Sequence, residues 1–173
     1  MKTIAAAMLL TLPVFAQAPA AAPATPTSDL KAFWTQIKTN IAKSAEKMPE
    51  ENYAFKPSPD VRSFGQLIGH VADANYMICG AAKGEQKMVG VEKSKTAKAD
   101  LITALNESAA YCDAVFDALT DKSAGEVIKM FGRERTRMGA LSMNVAHDFE
   151  HYGNLVTYMR MKGLVPPSSE PRR

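Results

Sequence analysis

Apolar residues recur at three- and four-residue steps along most of this chain, the spacing that lays one face of an α-helix against a core. In LKAFWTQIKTNIAKSAEKM, Leu30, Phe33, Trp34, Ile37 and Ile41 form such a stripe, and Ser28 or Asp29 can cap the helix that carries it. Trp34 reads as a core residue rather than a ligand platform. The run Tyr53-Ala-Phe-Lys-Pro57-Ser-Pro59 breaks the pattern, because proline lacks the N–H and restricts its predecessor. A second helix follows, capped by Asp60 or Ser63, with Phe64, Leu67, Val71, Ala74 and Ile78 as its stripe. Gly65 and Gly69 leave room on the neighbouring surface at some cost in helix propensity. Gly80 and Gly84 mark the end region, and QKMVGVEKSKT reads as a solvated connection.

A third helix, Lys98 to Leu119, buries Leu101, Leu105, Ala109, Cys112, Val115, Phe116 and Leu119. Asp121 to Arg137 is less regular, and Glu126–Arg135 suits either a short helix or an extended piece. The fourth helix, Met138 to Met161, is closed by Gly163 and by prolines 166 and 167. Leu141, Val145, Phe149, Tyr152 and Val156 make one stripe. Asn144, His147, His151, Leu155 and Tyr158 make an adjoining one. Four such helices predict an all-α fold, a four-helix bundle.

The chain has only three histidines, and all of them fall on these faces. His70 stands beside the stripe of the second helix. His147 and His151 are four apart, so they share a face of the fourth. Imidazole suits zinc, nickel and iron, and three protein nitrogens plus a water make an open catalytic site. The competing reading is three hydrogen-bonded core or boundary histidines, since H-x-x-x-H lacks the Glu of H-E-x-x-H. No E-x-x-H is present, so one ion held by three nitrogens fits better than a two-metal carboxylate site. A ligand histidine usually gives its other N–H to a carboxylate or carbonyl. Asp73, one turn from His70, is within reach of that role. Asp148 and Glu150 are expected to splay outward to the surface. Asn144 and Tyr158 are candidates for lining a pocket. No residue stands out as a general base.

Composition adds less. The 173 residues carry a net charge of +3, which neither demands nor excludes an anionic partner. Residues 1–16 have a basic start at Lys2, an apolar run and the small-residue ending Val14-Phe15-Ala16, the pattern of a secretory signal peptide. The run is too short and Ala-rich for a stable membrane span. Export to the periplasm or medium is therefore expected, with a retained anchor as the alternative. Residues 17–28 read as a flexible linker, 29–165 as one domain and 166–173 as a disordered tail. Export permits a disulfide between Cys79 and Cys112, but two small buried thiols are the favoured reading. Lys129, Arg133, Arg135 and Arg137 form a basic run without the aromatic interleaving of a nucleic-acid binder, and none is expected as a partner. The methionines near the last helix read as flexible packing, with weak copper binding as an alternative.

Taken together, Tyr53–Pro57, Ser63-Phe-Gly-Gln-Leu-Ile-Gly-His70, His147-Asp-Phe-Glu-His151-Tyr-Gly-Asn-Leu and Tyr158-Met-Arg-Met-Lys-Gly163 resemble the DinB-like family. The resemblance covers about Leu30 to Pro167. It implies a metal-binding four-helix domain in which the second helix gives one histidine and the last gives a pair, matching His70, His147 and His151. It also implies a homodimer. Family activities include thiol-dependent S-transfer, a mycothiol-linked isomerisation and metal-dependent hydrolysis. Export sets this chain apart from the thiol-dependent members, because low-molecular-weight thiols are not abundant outside the cytosol. The leading expectation is an exported metal-dependent hydrolase acting on a small molecule through a metal-activated water. The alternatives are a noncatalytic metal- or ligand-binding bundle and a thiol-dependent S-transferase.

Overall fold

A computed structural model of the chain describes residues 24–171. In order it contains α1 (Pro26–Lys47), α2 (Phe64–Lys83), the single turn α3 (Val91–Ser94), α4 (Lys98–Asp117) and the single turn α5 (Asp121–Ala124). An antiparallel hairpin of β1 (Val127–Met130) and β2 (Arg133–Thr136) then leads into α6 (Arg137–Met161). The four long helices form the expected all-α bundle. α2 lies against both α4 and α6, and α1 covers the other side of that pair. The irregular 126–135 segment is the hairpin, the extended option, with a helical turn before it.

Most of the predicted stripes are buried as expected. Leu30, Trp34, Ile37 and Ile41 of α1 sit in the core. Trp34 stacks on Phe116 at 4.9 Å, and its indole N–H donates to Asp113 at 2.7 Å. Two stripe residues do not follow. Phe33 (53% exposed) and Phe149 (37% exposed) lie past the edge of their buried arcs. α1 also starts earlier than expected, at Pro26. Thr25 is the cap, and Ser28 returns a hydrogen bond to it from the third helical position. Residues 26–28 are therefore helix and not linker. On α2 the cap is Ser63, with Gln66 reciprocating, rather than Asp60.

Three expectations need correction or extension. QKMVGVEKSKT is solvated along most of its length, as expected, but it also carries the helical turn α3. Val91 is fully buried, and α3 packs on α2 at Gly69, where a Cβ would stand 2.8 Å from the Glu92 Cα. Cys79 and Cys112 are not free thiols. They form a disulfide between α2 and α4, with Cα atoms 5.4 Å apart and both residues buried. Their spacing of 33 residues gave no hint that the two helices are neighbours. The C-terminal segment is docked up to Glu170 rather than disordered. Pro166 is buried, the Ser168 N–H donates to the Tyr152 hydroxyl at 2.9 Å, and Glu170 pairs with Lys47. The expected signal peptide and residues 17–23 lie outside the described residues, as do 172 and 173. No helix among the described residues is long and apolar enough to cross a membrane.

Candidate metal centre

α2 and α6 run side by side, and their facing surfaces bring all three histidines together. The ligand nitrogens of His70, His147 and His151 all lie within 4.8 Å of one another. The His147 Nε2 is 3.2 Å from that of His70 and 3.0 Å from that of His151. One ring nitrogen carries either one proton or one lone pair, so His147 cannot make a well-aligned hydrogen bond to both neighbours. A shared cation satisfies all three. Ligand nitrogens about 2 Å from a tetrahedral zinc would stand roughly 3.3 Å apart, close to the two short separations here.

The far side of each ring agrees with that arrangement. His70 Nδ1 lies 3.1 Å from Glu92 Oε2, so its N–H is held there and Nε2 is left as a lone pair. His151 Nδ1 faces the Asn154 amide at 3.4 Å, a group that can present its oxygen to the ring. His147 Nδ1 is buried without a hydrogen-bond partner, and its nearest carboxylate oxygen, Asp148 Oδ1, is 3.6 Å away. Both Asp148 oxygens are also buried and unpartnered. A buried carboxylate costs free energy unless a positive charge lies close by. A dication bound through His147 would supply that charge, so these orphaned atoms fit a metal centre better than three neutral rings.

At His151 and His70, electrostatics favour a lone pair over a proton. Burial, followed by the positive surroundings of His147 and His70, lowers the His151 pKa to about 4. Burial and then Arg62 lower that of His70, against the opposing pull of Glu92. Burial raises Asp148 to about 6. The centre remains open to solvent, with about a quarter of the His70 side chain and a fifth of the His147 side chain exposed. One cavity of about 400 Å³ opens onto His70 and His147, and a polar cleft beside Arg62, Asn154 and Tyr158 reaches His151.

The supporting residues differ from those expected. Asp73 does not touch His70. Its carboxylate accepts the N–H groups of Gly90, Val91 and Glu92 at 2.7–2.9 Å, which fixes α3. α3 in turn presents Glu92 to His70, and Arg62 holds the other Glu92 oxygen at 2.9 Å. Glu92 was missed because its segment looked like a linker; the signal available was Gly69, whose missing side chain lets the Glu92 backbone approach α2. Asp148 is buried rather than on the surface. Its place on the Leu141–Asn144–Val145–Tyr152 face could have revealed this, had its charge not argued otherwise. Asn144 is turned into the core: it is fully buried and donates to Asn75 at 3.1 Å. Tyr158 does line the polar cleft, where its hydroxyl donates to the Arg62 carbonyl at 2.7 Å. Glu150 lies exposed on the same cleft. Lys129, Arg133 and Arg135 line the exterior of the hairpin, and Arg137 pairs with Glu126.

Comparison with known proteins assigns the class. The DinB superfamily model matches residues 34–155, and the chain belongs to that family. Uncharacterized protein YjoA of Bacillus subtilis is 25% identical over 122 residues, covering 69% of this chain and 79% of that protein. The YjoA crystal structure superposes with a TM-score of 0.67, at 22% identity, over 84% of this chain and 99% of its own. A DinB-like protein from Bacillus cereus gives a TM-score of 0.70 at 19% identity, over 80% of this chain and 93% of that one. A mutant of mycothiol-dependent maleylpyruvate isomerase gives 0.63 at 14% identity, over 76% and 61%. At these identities the structures speak for the fold.

Proposed function

We propose that this chain is an exported metalloprotein in which His70, His147 and His151 hold one divalent ion, zinc, nickel or iron, and that it hydrolyses a small substrate there. The observation that carries the proposal is the convergence of three Nε2 atoms beside a buried carboxylate that lacks a hydrogen-bond partner. When bound, such an ion supplies Lewis acidity and an activated water. The chain's own residues do the rest. Glu92 fixes the His70 tautomer, Asp73 fixes Glu92, and the two cavities on either side of the rings leave room for substrate. The pattern of residues 1–16 supports export, as does a disulfide, which persists in oxidising compartments.

A noncatalytic metal-binding bundle is the second reading. Both Glu92 oxygens are engaged, and Asp148 is shut in the core, so neither is placed as a general base. A thiol-dependent S-transferase is the third, and it rests on fold likeness to the mycothiol-dependent isomerase. Protein lacking residues 1–16, loaded with each metal, should be assayed on nitrophenyl esters and anilides beside His70→Ala. Turnover that disappears in a folded His70→Ala supports hydrolysis. Stoichiometric metal without turnover, and without exchangeable water in the relaxation of the nickel form, favours the noncatalytic bundle. Turnover seen only with an added thiol favours S-transfer.

A further inference from the structure

We propose that the cavity over His70 and His147 binds the uncharged, apolar part of a small molecule whose metal-ligating end reaches the three imidazoles. This rests on the metal-centre reading above. The cavity measures about 400 Å³, within the range of small-molecule sites. Its wall is made largely by Met77, Met88, Val89, Phe131 and Met143. Its carboxylates are already engaged, Asp73 by backbone N–H groups and Glu92 by Arg62 and His70. Lys93 is the remaining charged group on the lining. A ligand therefore meets apolar side chains along most of its length and imidazole at one end. The cleft on the His151 side is different in kind, with Lys56, Asp60, Arg62 and Glu150 among its lining residues.

Two features separate this wall from ordinary packing. Met88, Val89 and Phe131 are 86%, 50% and 52% exposed, and all three meet at this cavity. The second feature is the backbone at Phe131. The hairpin turns through Phe131 and Gly132 between the paired Met130 and Arg133, and φ is positive at both turn residues, 53° and 74°. A two-residue turn of this form favours Asn-Gly. A phenylalanine in the left-handed region is strained, and with half its surface open it recovers little by burial. The fold alone gives no reason for a bulky ring at that position. A ligand in the cavity does, because it would cover the ring. The methionines beside it are unbranched and adapt to different apolar shapes.

The test compares octanohydroxamate with acetohydroxamate on zinc-loaded protein carrying methyl-labelled methionine. Each buried methylene is worth about fourfold in affinity. The longer probe should bind at least tenfold tighter and shift the Met77, Met88 and Met143 methyl signals, leaving the core Met48 signal unmoved. Phe131→Asn should weaken octanohydroxamate about fivefold, leave acetohydroxamate and zinc content unchanged, and raise the melting temperature. Equal affinity for the two probes, or a Phe131→Asn variant that binds normally and melts lower, would overturn the proposal while leaving the metal centre intact. If zinc fails to bind, octan-1-ol takes the place of the hydroxamates. Phe131-dependent shifts at the same three methyls then support the cavity, and their absence overturns it. Shifts that follow protein concentration instead of ligand would assign the cavity to a second copy of the chain and also overturn it.

Discussion

Glu92 ties the histidine cluster to the rest of the protein, and Asp148 is the group most at odds with its surroundings. Glu92→Ala removes the acceptor for the His70 N–H and frees that ring to rotate or change tautomer. Zinc affinity should fall about 10- to 100-fold, read by competition with a chromogenic chelator, with helicity unchanged. Asp148 acts through its charge. Its pKa is raised from 3.8 to about 6 by burial, so the folded metal-free protein holds the proton more tightly than the unfolded chain does. The charged form therefore costs stability as pH rises from about 4 through 6, and the cost is complete above that. Asp148→Asn should stabilise the metal-free protein at pH 7.5 by up to about 3 kcal/mol. The gain should vanish by pH 4 in a series of urea melts. A constant difference across that range would mean that Asp148 is not buried as a charge.

At the scale of elements, the contact between α2 and α3 decides whether Glu92 is in place. Gly69→Ala gains helix propensity of about 1 kcal/mol, but its Cβ would meet the Glu92 Cα at 2.8 Å and N at 3.0 Å. Backbone cannot yield there as a side-chain tip can. The clash should win, with a net loss of about 1–3 kcal/mol in denaturant melts and weaker zinc binding alongside it. The same contact shows what was legible in the sequence. The long helices were readable because Phe64, Leu67, Val71 and Ile78 repeat with the helical period, and so do Leu101, Leu105, Cys112 and Phe116. The pair His147 and His151 was readable for the same reason. α3 was not, since four residues are too few to show a period, and Asp73 caps it from 17 residues away. Glu92 reaches His70 across 22 residues, a pairing that only the packed helices create. Phe33 shows the reverse limit: an apolar residue next to a stripe is not always part of it.

Across the whole molecule, the disulfide joins the helix that carries His70 to α4 on its far side. Closing a loop of 33 residues should stabilise the fold by about 4 kcal/mol. The Cys79→Ala/Cys112→Ala variant should melt well below the oxidised parent, and the unfolded parent should show no free thiol until it is reduced. Two titratable thiols in the unfolded, unreduced protein would contradict the bridge. The bundle otherwise follows its helical periodicity. Four of its departures gather around the three histidines: a tight glycine contact, a capped single turn, a buried acid and a strained aromatic at the hairpin tip.

The most direct test is the metal content of protein lacking residues 1–16, purified without chelator or a histidine tag, beside His147→Ala/His151→Ala. A three-histidine site requires close to one zinc, nickel or iron per chain in the parent, and none in a double variant that keeps its helical circular dichroism. A parent that takes up no ion after dialysis against all three metals would contradict it, and so would a double variant that still holds one.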